Sequence, residues 1–260
     1  MSFQTLKKEV ERIATDANGK VSLFISTDEG DIKINEADQM KAASIIKVPM
    51  VMTGLYQHDQ EGLDLTEKVT TKEPVGGCGV LQYFSETEKL SLLSVMKLAI
   101  IVSDNTASNI VMDVVGIDKI NDYMTKVGAE DTILGRKFMD LEAAGKGLEN
   151  VTSARDMMMF LKMIHQDTPY LSPANREVLF KILGQQQLNH KLPFYQSAFP
   201  DKEIMIAHKT GEITGVEHDV GIFTNGRKTV YATVLTSDWQ YNYEGQQTIA
   251  QIGESIMAYM

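Results

Sequence analysis

Only one cysteine, Cys78, occurs in the 260 residues, so no internal disulfide can form and the chain demands neither an oxidising nor a reducing compartment. Positive charge is also scarce. Against 35 Asp and Glu stand 25 Lys and Arg, a formal charge of −10 with a pI near 5.0, which argues against the electrostatic footprint of nucleic acid or of anionic lipid as partner. No run of about 18 apolar residues is present to insert into a bilayer. The start, Met-Ser-Phe-Gln-Thr-Leu-Lys-Lys-Glu-Val, has helical periodicity and lacks the basic stretch, apolar core and small-residue cleavage site of a secretory leader. A cytoplasmic protein is expected, or a secreted one if a leader has been removed. The histidines at 58, 165, 190, 208 and 218 show no H-E-x-x-H spacing and with one cysteine complete no zinc set; neither metal nor cofactor is expected. Gly76-Gly77-Cys78-Gly79 is not a phosphate loop, because no strand precedes it and no helix with G-x-x-G spacing follows. Repeats, low-complexity tracts and flexible linkers are absent.

What is present is an ordinary globular composition, 43% hydrophobic and 23% charged, long enough for one large core. Leu6, Val10, Ile13, Ala14 and Ala17 share one helical face that Asn18-Gly19 can end. Val21 to Ser26 reads as a strand, and Asp28-Glu29-Gly30-Asp31 turns it into Ile32-Lys33-Ile34. From Ser44 to about Gln187 the signals are almost entirely helical. Leu92, Val95, Met96, Ala99, Ile100 and Val102 predict a buried helix, Asp118 to Val127 another that stops at Gly128, and Ser172-Pro173 an N-cap with proline following. Strands return at Ile204–Thr210, Val220–Thr224 and Val230–Thr236, the last two joined at Asn225-Gly226, before a closing helix with Ile249, Ile252, Ile256 and Met257. Strands from both chain ends imply an α+β fold: one mostly antiparallel five-stranded sheet flanked by helices, with an all-helical lobe inserted. The expected division of this single domain is a sheet lobe, 1–38 and 188–260, and a helical lobe, 39–187. A ligand site is expected in the groove between them.

Three short motifs fall where chemistry needs them. Ser44-Ile45-Ile46-Lys47 opens the helical block; at i and i+3 on one face, Lys47 sits one turn from the Ser44 hydroxyl and can take its proton if burial or nearby cations depress the amine's pKa. Pro49 is tolerated in the first turn, which places Ser44 near a positive helix end. Ser103-Asp104-Asn105 follows the buried helix at a helix–helix junction; alone, it reads as an N-cap. Lys209-Thr210-Gly211 ends the first late strand.

In the order S-x-x-K, S-D-N, K-T-G, the set resembles the signature of class A β-lactamases and penicillin-binding proteins. The stretch Ile100-Ile101-Val102-Ser103-Asp104-Asn105-Thr106-Ala107-Ser108-Asn109 looks like that family, as does the end of the chain from Ala207-His208-Lys209-Thr210-Gly211 through Ile249-Ala250-Gln251-Ile252-Gly253, so the likeness runs from about residue 5 to 259. It implies a β-lactam or D-alanyl-like amide as small-molecule substrate. Ser44 would be the acylated nucleophile, Lys47 its base or proton partner, and Ser103 a proton relay to the leaving nitrogen. Asn105 would bind the substrate's amide side chain and Lys209 and Thr210 its carboxylate. The N–H groups of Ser44 and Glu212, the latter following Gly211, would form the oxyanion hole. In such proteins the Gly76–Gly79 segment borders the groove, so Cys78 is a candidate lining residue.

Two departures from the family pattern matter. Class A enzymes carry, two residues after an arginine, a glutamate that activates the deacylating water; here the arginine is Arg136 and the plus-two position is Phe138. Asp140 and Glu142 are the candidates to supply a base from a rearranged loop, and Glu142 is the expectation. The late strand where many members place an arginine reads Glu217-His218-Asp219, leaving Arg227 or Lys228 as substitutes only in an unusual hairpin. The resemblance therefore implies a divergent serine hydrolase opening β-lactams through an acyl-enzyme. Its alternatives are a penicillin-binding peptidase or esterase with slow deacylation, and a non-catalytic β-lactam sensor.

Overall fold

Residues 1–71, 73–84 and 89–260 are described in the computed structural model. Along the chain the regular elements are α1 (Phe3–Asp16), β1 (Lys20–Ser26), β2 (Asp31–Ile34), β3 (Met40–Lys41), a 3₁₀ turn (Ala43–Ile46), α2 (Lys47–Glu61), β4 (Lys68–Thr70), β5 (Lys89–Ser91), α3 (Leu92–Ile101), α4 (Asn105–Val115) and α5 (Ile117–Lys126). After these come α6 (Leu141–Gly145), β6 (Val151–Thr152), α7 (Ala154–His165), α8 (Pro173–Gly184), β7 (Met205–Ile213), β8 (Val216–Thr224), β9 (Thr229–Ser237) and α9 (Asn242–Tyr259).

Strands from the two ends of the chain meet in a five-stranded sheet of order β2-β1-β9-β8-β7, antiparallel at every pairing. Both faces are covered, which explains why β1 and β9 are buried almost along their length instead of alternating. On one face α1 and α9 bury Leu6, Val10, Ile13, Ile249, Ile252 and Ile256 against Leu23, Ile25 and Val234. Ser2 caps α1 by accepting from Thr5 N–H. The other face packs on α7 and, through it, on the helical block around α2, whose central residues Val48 to Leu55 are all buried. No described helix is long and apolar enough to cross a membrane.

Three sequence expectations need correction. The inserted block is not all helical, since β3 pairs with β6 and β4 with β5 in short ribbons. The strand expected to stop at Gly211 continues to Ile213, turns at Thr214-Gly215 and returns as β8 from Val216, four residues earlier than Val220. Glu217-His218-Asp219 thereby lies within β8, where each buried side chain has a partner (Glu217 with Lys191, His218 with the Lys41 carbonyl, Asp219 with His208). Finally, β8 and β9 are joined by four residues, 225–228, with Asn225 Oδ1 accepting from the N–H groups of Arg227 and Lys228.

Candidate active site

Ser44 is carried by the 3₁₀ turn that feeds α2, so the helix proper begins at Lys47 and not at the serine. The turn is entered through Ala43 at φ 44°, a left-handed conformation a non-glycine residue rarely adopts. Ala42 N–H donates to the Asn150 carbonyl at 2.7 Å and fixes the approach. Gly211 packs directly on this turn: a Cβ there would lie 3.1 Å from both Ser44 N and Ile45 N. Strand β7 thereby brings its backbone against the serine. The two-residue turn makes Ile213 and Val216 a hydrogen-bonded pair, so Glu212, opposite Glu217, is a non-hydrogen-bonded position. Glu212 N–H consequently points off the free edge of β7, and Glu212 and Ser44 line the same cleft.

Lys47 is fully buried, and its Nζ reaches the Ser103 carbonyl at 2.6 Å, Ser103 Oγ at 3.2 Å and Asn105 Oδ1 at 2.9 Å. Ser103 sits at φ 54°, a left-handed turn that lets its carbonyl and hydroxyl both face Lys47 Nζ. Asp104 caps α4 through Ala107 N–H and with its other oxygen receives Val80 and Leu81 N–H, binding the 76–81 loop to the junction. From the opposite wall, Lys209 Nζ donates to Ser103 Oγ at 3.0 Å and to the Thr210 carbonyl at 2.7 Å. Ser103 thus lies between two buried lysines.

Burial, followed by the charge of Lys209, drives the Lys47 amine well below the usual lysine range. Burial also brings Lys209 down to about 7, in spite of nearby anions that oppose the shift. A neutral Lys47 has two N–H donors for the Ser103 carbonyl and Asn105 Oδ1. Its lone pair remains to receive a hydroxyl proton. Lys209, as the cation of the pair, donates to Ser103 Oγ. A reaction that needs the first amine neutral and the second protonated would show kcat/KM rising with pH while Lys47 loses its proton and falling near 7 as Lys209 loses its own. A pH profile of the acylation rate with the alkaline limb moved upward in Lys209→Arg checks this assignment.

Ser44, Cys78, Ser103, Asn105, Thr210, Gly211 and Glu212 all line one cleft of about 730 Å³. Asn105 and Cys78 are held there by the loop: Asn105 N–H donates to the Cys78 carbonyl at 3.0 Å and Asn105 Nδ2 to the Gly76 carbonyl at 3.1 Å. The sequence profile of the Beta-lactamase enzyme family matches residues 5–260. The chain belongs to that family. Among solved structures it is similar to a β-lactamase from Sphaerobacter thermophilus, at 25% identity and TM-score 0.88 over 99% of this chain and 97% of the other. It is also similar to a PBP-A variant determined as an acyl-enzyme complex with penicillin G, at 27% identity and TM-score 0.85 over 99% and 96%. The curated β-lactamase BRO-1 of Moraxella catarrhalis is 29% identical over 122 residues, 44% of this chain and 38% of that protein's length.

Within this β-lactamase-family cleft the expected deacylating base is missing from its assigned place. Glu142 lies on the short helix α6 with 82% of its side chain exposed, pairs with Lys146 at 2.6 Å and does not line the cleft. Asp140 is spent on capping α6 through Ala143 N–H. The reason is helical geometry: residues 142 and 146 are one turn apart and solvate each other on an outer face. Lys228, considered as a substitute carboxylate partner, instead meets Glu29 at the far end of the sheet.

Phe138 does reach the site. Its ring centroid lies 4.2 Å from Lys47 Nζ, and it lines the cleft. Asn109 of α4 clamps it, accepting from Phe138 N–H at 2.9 Å and donating to its carbonyl at 3.1 Å. The loop carrying it is closed at its neck by Arg136 with Glu149 and by Asn150 Oδ1, which receives Gly135 and Arg136 N–H. The carboxylates that do line the cleft are Glu149, Glu212 and Glu217. Burial disfavours ionisation of Glu149, but hydrogen bonds from Arg136 and Lys41 prevail and hold it below the usual range. The His190 hydrogen bond, with Lys191 adding to it, holds Glu212 near 2. Glu217 is paired with Lys191. Lys191 and Asn109 were missed by sequence reasoning; Asn109 sits inside the family-like stretch after Asn105, whereas Lys191 carries no local signal.

Proposed function

We propose that the chain is a serine acyl-transfer enzyme that opens β-lactam-like amides on Ser44 and releases the acyl group slowly. In the first step neutral Lys47 takes the Ser44 proton as Oγ attacks the carbonyl carbon. The developing oxyanion is received by the N–H groups of Ser44 and Glu212, donors that contribute on the order of 3 kcal/mol each in such reactions. The carbon–nitrogen bond then breaks, and the nitrogen takes its proton from the Ser103 hydroxyl, which is replenished from the lysines beside it. Release requires water to attack the Ser44 ester with a base to accept its proton.

The observation that carries the slow second step is Phe138. An aromatic ring covers Lys47 where the family pattern calls for a carboxylate, and the acids that line the cleft are engaged by cations. This supports penicillin-binding behaviour over rapid resistance-type turnover. The test is intact mass after mixing with a penicillin. A persistent adduct of the penicillin's full mass, mapped to Ser44 and absent from Ser44→Ala, is the expected result. No adduct and no turnover would leave only a non-covalent binding module.

A further inference from the structure

Lys191 is fully buried in the segment between α8 and β7, does not line the cleft, and is used by none of the steps above. Its Nζ donates to the Gly211 carbonyl at 3.0 Å and to the His218 carbonyl at 3.3 Å, lies 3.4 Å from Glu212 Oε2 and pairs with Glu217. We propose that Lys191 is a positioning residue of the oxyanion hole, acting through the Gly211–Glu212 peptide; this rests on the acyl-transfer reading.

The carbonyl of Gly211 and the N–H of Glu212 belong to the same planar trans peptide and point in opposite directions. One side faces β8 and Lys191, the other the free edge of β7 beside Ser44. An ammonium hydrogen-bonded to the oxygen withdraws electron density from the nitrogen, and hydrogen bonds linked through a polar group strengthen one another. The Glu212 N–H becomes a stronger donor, and the peptide plane is pinned in the orientation that aims it. The cation sits opposite the oxyanion and out of the substrate's reach.

The surroundings hold Lys191 to this task. Glu217 anchors the ammonium and is itself fixed through Oε1 by Asn242 Nδ2 at 2.8 Å and Gln246 Nε2 at 3.0 Å. The backbone on either side is tied to the same strands: Asn189 Oδ1 meets His208 Nε2 at 3.0 Å, and Leu192 N–H donates to Asp219 Oδ2 at 3.0 Å. Strands β7 and β8 therefore converge on one buried nitrogen, with α9 bracing its carboxylate partner, and its polar contacts include the carbonyl behind the oxyanion donor.

The readout is the infrared stretch of the acyl carbonyl in the penicillin adduct, which falls as the oxyanion donors strengthen. Removing Lys191 alone would strand a buried carboxylate, so Lys191→Met is combined with Glu217→Gln, and Glu217→Gln serves as the reference. In the double variant the stretch should move to higher wavenumber, and affinity for a boronic-acid transition-state analogue should fall roughly tenfold, short of the 10²–10³ seen when a whole donor is deleted. Non-covalent binding of the penicillin should change less. Glu217→Gln, which keeps the ammonium on Gly211, should stay at or below the wild-type wavenumber. An upward shift in Glu217→Gln, or a double variant with the wild-type stretch and boronate affinity, overturns the proposal. Failure of the wild type to form any adduct would instead sink the acyl-transfer reading and is seen before either variant is made.

Discussion

Lys47→Met should slow acylation of Ser44 by about 10³-fold, within the range for removing a positioned general base, and equivalent to about 4 kcal/mol of transition-state stabilisation. Methionine is close in volume and apolar, so the change removes the amine without opening a large cavity. Its structural cost is confined to the acceptors left behind, the Ser103 carbonyl and Asn105 Oδ1, both next to the cleft where water can reach. Stopped-flow acylation with a chromogenic cephalosporin measures the loss, and unfolding curves separate it from instability. Residual acylation should no longer show the acid limb that Lys47 produces, because the group that must lose a proton is gone. A variant acylated at the wild-type rate would remove Lys47 from the chemistry, whatever its distance from Ser103.

Phe138→Glu should have the opposite character, raising the deacylation rate by roughly 10²-fold through general-base activation of water. The clamp from Asn109 acts on the backbone of residue 138, so it holds whichever side chain is present there. A carboxylate in that place would meet the Lys47 ammonium and favour its charged form. Acylation by Lys47 should then slow at neutral pH unless the new carboxylate takes over the serine proton. Two rates therefore respond in different ways, and both are read in one experiment that follows adduct formation and decay by mass. Phe138→Leu is the control: it removes the ring but adds no base, and release should remain within a few-fold of wild type. Equal acceleration in the leucine variant would mean that the ring blocks water and that a base was never lacking.

Much of this site is legible in the sequence because its parts are local. A serine and lysine three residues apart on a helix entrance, a polar triplet at a helix junction and a lysine on a strand each state their own geometry, and the cleft brings them together around Ser103. The strands near the N-terminus were equally legible, since apolar residues ran between turn signals. What escaped depends on contacts across the fold. The strand signal starts only at Val220, because the polar side chains of Glu217-His218-Asp219 are matched by Lys191, the Lys41 carbonyl and His208 from elsewhere in the fold. Lys191 stands in Leu188-Asn189-His190-Lys191-Leu192 with no periodicity to show that it is buried. Glu142 misled for the converse reason: an acid near the right position in sequence says nothing of direction, and Lys146 one turn on drew it outward. Gly211 resembled a strand terminator, whereas its missing side chain is what admits the Ser44 backbone.

Bond opening on Ser44 should outrun release of the acyl group. Pre-steady-state hydrolysis of a chromogenic cephalosporin in excess tests it most directly. The expected trace is a burst of about one equivalent per enzyme followed by a much slower linear phase. A linear trace through many turnovers from the first milliseconds, with no burst, would contradict it.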